Sequence, residues 1–285
     1  MDSAPDAVLE ALTAPRVSLL GLSMQQPRIM GIVNTTPDSF SDGGTYDGAG
    51  QVRLLAGQGA EILDIGGEST RPGAREVPVA EEIDRITPAI EAARGLAVIS
   101  VDTRKAEVAR AAVDAGAHMV NDVSGFDFDP DMAGMVAASG VPVCLMHAQG
   151  IPETMQDNPT YGDVLLDVYD ALAERIARAE AAGIARDRIV IDPGIGFGKT
   201  QEHNLAILRR ISLYHGLGCA VLLGVSRKRF IGSIGGVERP ADRVAGTLAL
   251  TLAGIAQGIQ IHRVHDVAET RQGIALWRAA TTETG

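Results

Sequence analysis

The chain has only two cysteines, Cys144 and Cys219, and one tryptophan, and just 4% of its residues are aromatic. Two cysteines cannot by themselves build a structural zinc site. Both stand inside apolar runs, VPVCLM and GCAVLL, where a free thiol packs as a small hydrophobe. With so few rings, aliphatic side chains must fill the interior, and 46% hydrophobic residues supply a sizeable core. Basic residues are also short: 25 Lys and Arg face 36 Asp and Glu, a net charge of −11. That balance excludes general affinity for nucleic acid or for an anionic membrane surface. No apolar stretch approaches the roughly 20 residues of a membrane span, and no basic segment followed by an apolar run opens the sequence, so the chain reads as cytoplasmic. The six histidines fall in no HExxH or similar spacing, which argues against a zinc enzyme.

What is present is a strict alternation. Short β-type apolar runs recur at 29–33, 62–66, 98–102, 118–122, 143–147, 189–193, 220–224 and 259–264. Between them lie Ala-rich stretches such as KAEVARAAVDAG and VLLDVYDALAERIARAEAAG, with apolar residues at three- and four-residue spacing. Eight continuous, non-alternating strand runs predict a closed parallel barrel wrapped in helices, a (β/α)8 TIM barrel in one domain over 28–285. A doubly wound open sheet is the alternative. Residues 1–27, with prolines at 5, 15 and 27, read as an N-terminal extension holding a short apolar piece around Val17 to Leu22.

In such a barrel the chemistry sits at the C-terminal ends of the strands. Those ends carry Asn34, Thr70 and Arg71, Asp102, Asn121 and Asp122, His147, Asp192, Ser226 to Lys228, and Arg263 with His265. Asp102, Asn121 and Asp192 could offer carbonyl acceptors and one amide donor to a flat heterocycle with amino and ring N–H groups, such as a pterin; the competing reading makes each Asp a helix cap. Arg71, Lys228, Arg263 and His265 are placed to hold a phosphate, against the plainer reading of solvated surface charge. The polar segment NTTPDSFSDGGTYDGAG is too long for an ordinary βα connection and reads as a lid, with Asn34 at its root able to offer an oxygen to Mg²⁺. GIGFGKT is not a Walker A loop, because the required first glycine is Pro193. Its glycines, Gly196 among them, instead let the backbone approach a ligand, with Phe197 offering an apolar face.

Seven blocks in order, IMGIVNTTPDSFSDGG, DIGGESTRPGA, VDTRKAEVA, MVNDVSG, DPGIGFGKT, GVSRKRFIG and IHRVHDV, resemble the dihydropteroate synthases over residues 28–270. The resemblance implies a (β/α)8 enzyme that joins 6-hydroxymethyl-7,8-dihydropterin pyrophosphate to p-aminobenzoate. It implies that Asn34 binds Mg²⁺ and that Asp102, Asn121, Asp192 and Lys228 hold the pterin. Thr70, Arg71, Arg263 and His265 would hold or border the pyrophosphate. Pro72, Phe197, Ser226 and Lys228 would line the p-aminobenzoate slot, with Phe40 and Asp42 arriving on the first lid. It also implies a homodimer, for which the apolar helices near 244–258 and 270–280 offer a face. Ala148 departs from the larger residue the family often has there. A methyltetrahydrofolate:corrinoid methyltransferase and a non-catalytic pterin-binding paralogue are the alternatives; the Arg71, Arg263, His265 and SRK positions count against the first, the intact NTTPDSFSDGG against the second.

Overall fold

A strand buried on both faces needs no alternation of polarity, and each of the eight apolar runs forms one. The computed structural model describes residues 18–36, 48–69, 76–150, 155 and 157–281. Its strands are β1 (Arg28–Asn34), β2 (Ile62–Gly66), β3 (Val98–Asp102), β4 (Met119–Asp122), β5 (Val143–Met146), β6 (Ile189–Asp192), β7 (Ala220–Leu223) and β8 (Ile261–Val264). They pair in parallel in chain order and close into a barrel through β1 and β8, so the open-sheet alternative is ruled out.

The helices among the described residues are α1 (Gly48–Gln58), α2 (Val79–Ala93), α3 (Ala106–Asp114), α4 (Met132–Ser139), α5 (Val164–Ala181), α6 (Gln201–Arg209), α7 (Arg229–Gly235), α8 (Val244–Ala256) and α9 (Val267–Thr281). They shield the outward strand residues, so that Val33, Leu63, Ile65, Ile99 and Val101 join one large aliphatic core.

The inward residues form a second, smaller cluster: Met30, Ile62, Met119, Cys144, Val190, Leu222 and Ile261. Leu19 and Met24 complete it from below, where Leu19 and Leu22 pair in a small antiparallel bridge. The apolar piece in the N-terminal extension is thus the floor of the barrel. One step higher, the interior turns polar. Two residues beyond Ile62 stands Asp64, two beyond Met119 stands Asn121, two beyond Val190 stands Asp192, and two beyond Ile261 stands Arg263. The period of two along each strand therefore stacks a polar layer on an apolar one and aims it at the C-terminal mouth.

Candidate active site

Arg263 occupies the centre of that polar layer. Its Nε donates to Asp64 Oδ2 at 2.6 Å and its Nη2 to Asp102 Oδ2 at 2.7 Å. Asn121 Nδ2 donates to the same Asp64 oxygen at 3.0 Å. Burial works against the guanidinium's charge, but Asp64 and Asp102 outweigh it and raise Arg263 above its ordinary value. The sequence reading placed Arg263 on a phosphate; here two of its nitrogens are engaged by carboxylates at the barrel centre. It had no place for Asp64, which lies two residues short of the strand end. A carboxylate inside an otherwise apolar strand is costly unless paired, and that was the available signal.

Asp102 and Asp192 flank this centre. Burial pushes Asp102 up from 3.8 to about 7, with Arg263 opposing and Asp64 adding to the rise. Its Oδ1 is buried with no partner among the described residues. Burial also raises Asp192, whose Oδ1 accepts the Gly194 N–H at 2.7 Å. Asp122 differs: both its oxygens are spent on its own turn, accepting from Ser124 N–H at 2.8 Å, Ser124 Oγ at 2.6 Å and Phe126 N–H at 2.8 Å. The candidate at position 122 is therefore a turn former.

The loop after β6 approaches the mouth as its glycines suggested, with φ of +67° at Gly194, +83° at Gly196 and +60° at Gly198. A Cβ on Gly196 would lie 3.1 Å from Lys228 Cδ, so a side chain there would press on that lysine besides straining the backbone. Lys228 Nζ sits 4.1 Å from the centroid of the Phe197 ring, a cation–π contact. The lysine of GIGFGKT turns into the protein. Lys199 is buried and its Nζ meets His147 Nδ1 at 2.9 Å, the Gly194 carbonyl at 2.9 Å and the Phe197 carbonyl at 3.0 Å. Burial lowers Lys199 to about 7 and His147 to about 2. His147, a strand-end candidate, is thus half of a brace between the β5 and β6 loops, and neutral imidazole Nδ1 serves as acceptor.

Ser226 and His265 also meet. Ser226 Oγ accepts the His265 backbone N–H at 3.1 Å and lies 2.9 Å from His265 Nδ1. A neutral imidazole that accepts at Nδ1 carries its proton on Nε2, the form that donates to an anion. Arg227 between Ser226 and Lys228 adopts φ +58°, a left-handed conformation that costs about 1–3 kcal/mol in a non-glycine residue. Three contacts enforce it: a bidentate pair with Asp266, Arg227 N–H to Thr247 Oγ1 at 3.0 Å, and Arg243 Nη1 to the Arg227 carbonyl at 2.9 Å.

The flank of the loop after β2 is held by a buried network that the sequence did not suggest. Lys105 Nζ bonds Glu68 Oε2 at 2.6 Å, Glu82 Oε2 at 2.8 Å and the Val77 carbonyl at 2.6 Å. Arg104 pairs with Glu68 Oε1 at 2.8 Å and lies over the Phe128 ring. Thr70, Arg71, Pro72, Phe40 and Asp42 lie outside the described residues.

Asn34 closes β1 in register with Gly66 and shares the interior face with Met30. Among the described residues no group of three His, Cys, Asp or Glu could hold a metal. An amide oxygen alone suits only an ion that brings most of its own ligands, as Mg²⁺ does with phosphate and water.

Residues 30–265 match the pterin binding enzyme family. The dihydropteroate synthase of Escherichia coli is 46% identical over 264 residues, covering 90% of this chain and 93% of that one. The dihydropteroate synthase of Xanthomonas albilineans, solved with 4-aminobenzoic acid, superposes with a TM-score of 0.88 at 47% identity, covering 95% of this chain and 100% of that one. The same organism's enzyme in complex with 7,8-dihydropteroate gives 0.84 at 44% identity, covering 92% and 96%.

Proposed function

The chain belongs to the dihydropteroate synthases among the pterin binding enzymes, and from that premise we propose that it condenses 6-hydroxymethyl-7,8-dihydropterin pyrophosphate with p-aminobenzoate. It is a transferase, and its products are 7,8-dihydropteroate and pyrophosphate. The observation that carries the reading is the ring of acceptors at the mouth, Asp102, Asn121 and Asp192, set around Arg263 and flanked by Lys228 and His265. A pterin lays its N–H groups against the acceptors, while the cations face its anionic tail.

The C–O bond between the pterin methylene and the pyrophosphate breaks, the carbon becomes cation-like, the aryl amine forms the new C–N bond, and one amine proton is released. An aryl amine is already a neutral nucleophile, so electrostatics carries most of the catalysis. His265, oriented by Ser226, donates to the leaving group, and Arg71 acts beside it. Phe197 and Pro72 hold the amine's ring, while Phe40 and Asp42 complete the site, where Asp42 favours the cationic carbon. Asn34 would hold Mg²⁺, which when bound would supply charge neutralisation of the leaving group. We also place the enzyme in the cytoplasm as a homodimer. The support for the dimer is α8, apolar nearly throughout yet with only Thr247, Thr251 and Gly254 buried, and Leu276 of α9, 66% exposed.

The test is release of pyrophosphate from the pterin pyrophosphate, with and without p-aminobenzoate and with and without Mg²⁺, together with identification of the pterin product. Metal-dependent release coupled to dihydropteroate is the expected result. Tight binding with neither product makes this a binding paralogue instead, and binding with no dependence on the pyrophosphate restores the methyltransferase reading.

A pH dependence follows from Asp102. Its folded value, about 7, lies above the 3.8 of the free group, so its contribution to stability is complete below about 4 and is lost as pH rises through 7. Pterin donors need the ionised form, so the ligand's affinity rises over the same interval. Calorimetric titration should show this rise in the wild type and none in Asp102→Asn; an unchanged rise in the variant would remove Asp102 from the pterin site.

A further inference from the structure

We propose that Asp64 is a positioning residue, which through one oxygen fixes both the plane of the Arg263 guanidinium and the orientation of the Asn121 amide, so that Asn121 presents an acceptor to the ligand. The inference rests on the pterin reading for the ligand's identity but not for the geometry. Asp64 is fully buried, and Oδ2 receives Arg263 Nε at 2.6 Å and Asn121 Nδ2 at 3.0 Å. Nothing on its own strand covers it from above, because the next interior-facing residue of β2 is Gly66. A Cβ there would lie 3.3 Å from the Asp102 Cβ.

The amide orientation follows from hydrogen-bond chemistry. A guanidinium only donates, so the oxygen it faces is an acceptor, and that oxygen can meet Asn121 only through the amide nitrogen. Turning the amide would bring two acceptors together. Held this way, Asn121 leaves Oδ1 for the ligand, and its side chain makes no other hydrogen bond among the described residues. The mouth then offers acceptors from Asp102, Asn121 and Asp192. Without Asp64, Asn121 could equally present a donor, and the site would lose its preference for a ring bearing N–H groups at all three positions. Arg263, bridging Asp64 and Asp102, fixes the spacing of two of these elements.

The test is a double-mutant cycle on the full chain using Asp64→Asn, Asn121→Ala and the pair, read by titration with the pterin pyrophosphate and by steady-state kinetics. Asp64→Asn should weaken pterin pyrophosphate binding at least tenfold and leave KM for p-aminobenzoate within about twofold. On the Asn121→Ala background the same substitution should cost threefold or less. Equal costs on both backgrounds, or a parallel rise in both KM values, would overturn the proposal, because a merely structural residue acts additively and without regard to substrate. Should Asp64→Asn fail to fold, the wild-type protein still decides. Its Asn121 side-chain NH₂ resonances, identified by their absence in Asn121→Ala, should be a single set protected from solvent exchange before ligand is added. Two sets, or rapid exchange, would sink the idea. If wild-type protein binds no pterin pyrophosphate while these resonances are protected, the pterin reading fails and the Asp64 geometry stands.

Discussion

Arg263→Ala should lose about 3–5 kcal/mol of folding stability and at least about 100-fold in turnover together. The two losses share one cause. Arg263 is the cation for two buried carboxylates, Asp64 at 2.6 Å and Asp102 at 2.7 Å, and removing it leaves both uncompensated at the barrel centre. The turnover loss follows because the same carboxylates set the pterin's acceptors, so the ligand meets a site that has repelled itself apart. Lysine should restore part of the stability and little of the rate: a point charge can approach one carboxylate but cannot fork between two. Denaturant unfolding and steady-state kinetics on both variants check this. Wild-type turnover in Arg263→Ala would reduce the residue to a dispensable ion pair.

Gly194→Ala should be nearly as damaging, although it adds a single methyl group. The new Cβ would stand 1.8 Å from the His147 carbonyl oxygen, and φ at the position is +67°. No side-chain movement relieves a clash with backbone, so the loop after β6 must shift. It would take with it the Gly194 N–H bond to Asp192 and the Gly194 and Phe197 carbonyls that hold Lys199. A cost above about 3 kcal/mol and loss of measurable pterin binding are expected. Gly183→Ala is the control: its φ is +98° with nothing within 4 Å of the added carbon, so only the conformational term of about 1–2 kcal/mol applies. Thermal melts and pterin titration of the two variants separate the terms. Equal effects would mean that contact with His147 is not what demands glycine.

The barrel was legible because its strands are buried on both faces and so appear as nearly unbroken apolar runs, one after another, with helical stretches between them. Asp102, Asn121, Asp192 and Lys228 were legible because each ends or follows such a run. Asp64, Lys199 and the Glu68–Lys105–Glu82 network were not. Each is a charge whose partner comes from another strand or loop, and a sequence states which residues are charged without stating which of them meet. The lysine of GIGFGKT shows the point most sharply: the motif fails as a Walker A loop, and nothing in it states that the lysine meets His147 and two carbonyls of the loop after β6. Residue types alone led to a flat ring with N–H donors and a phosphate beside it; the displacement chemistry and the aryl amine came from the resemblance.

The pairing of β1 with β8, Arg28 with Ile261 through Gly31 with Val264, has a kinetic side. During synthesis the first strand emerges long before the last, and until Ile261–Val264 arrives the open edge of β1 stays unsatisfied beside an aliphatic core. Contacts so distant in sequence form slowly, and an exposed parallel edge invites pairing with a neighbouring chain. The barrel's closing seam is therefore the step at which newly made chains are most exposed to aggregation, and a chaperone that delays collapse until β8 is complete would raise the yield of folded protein.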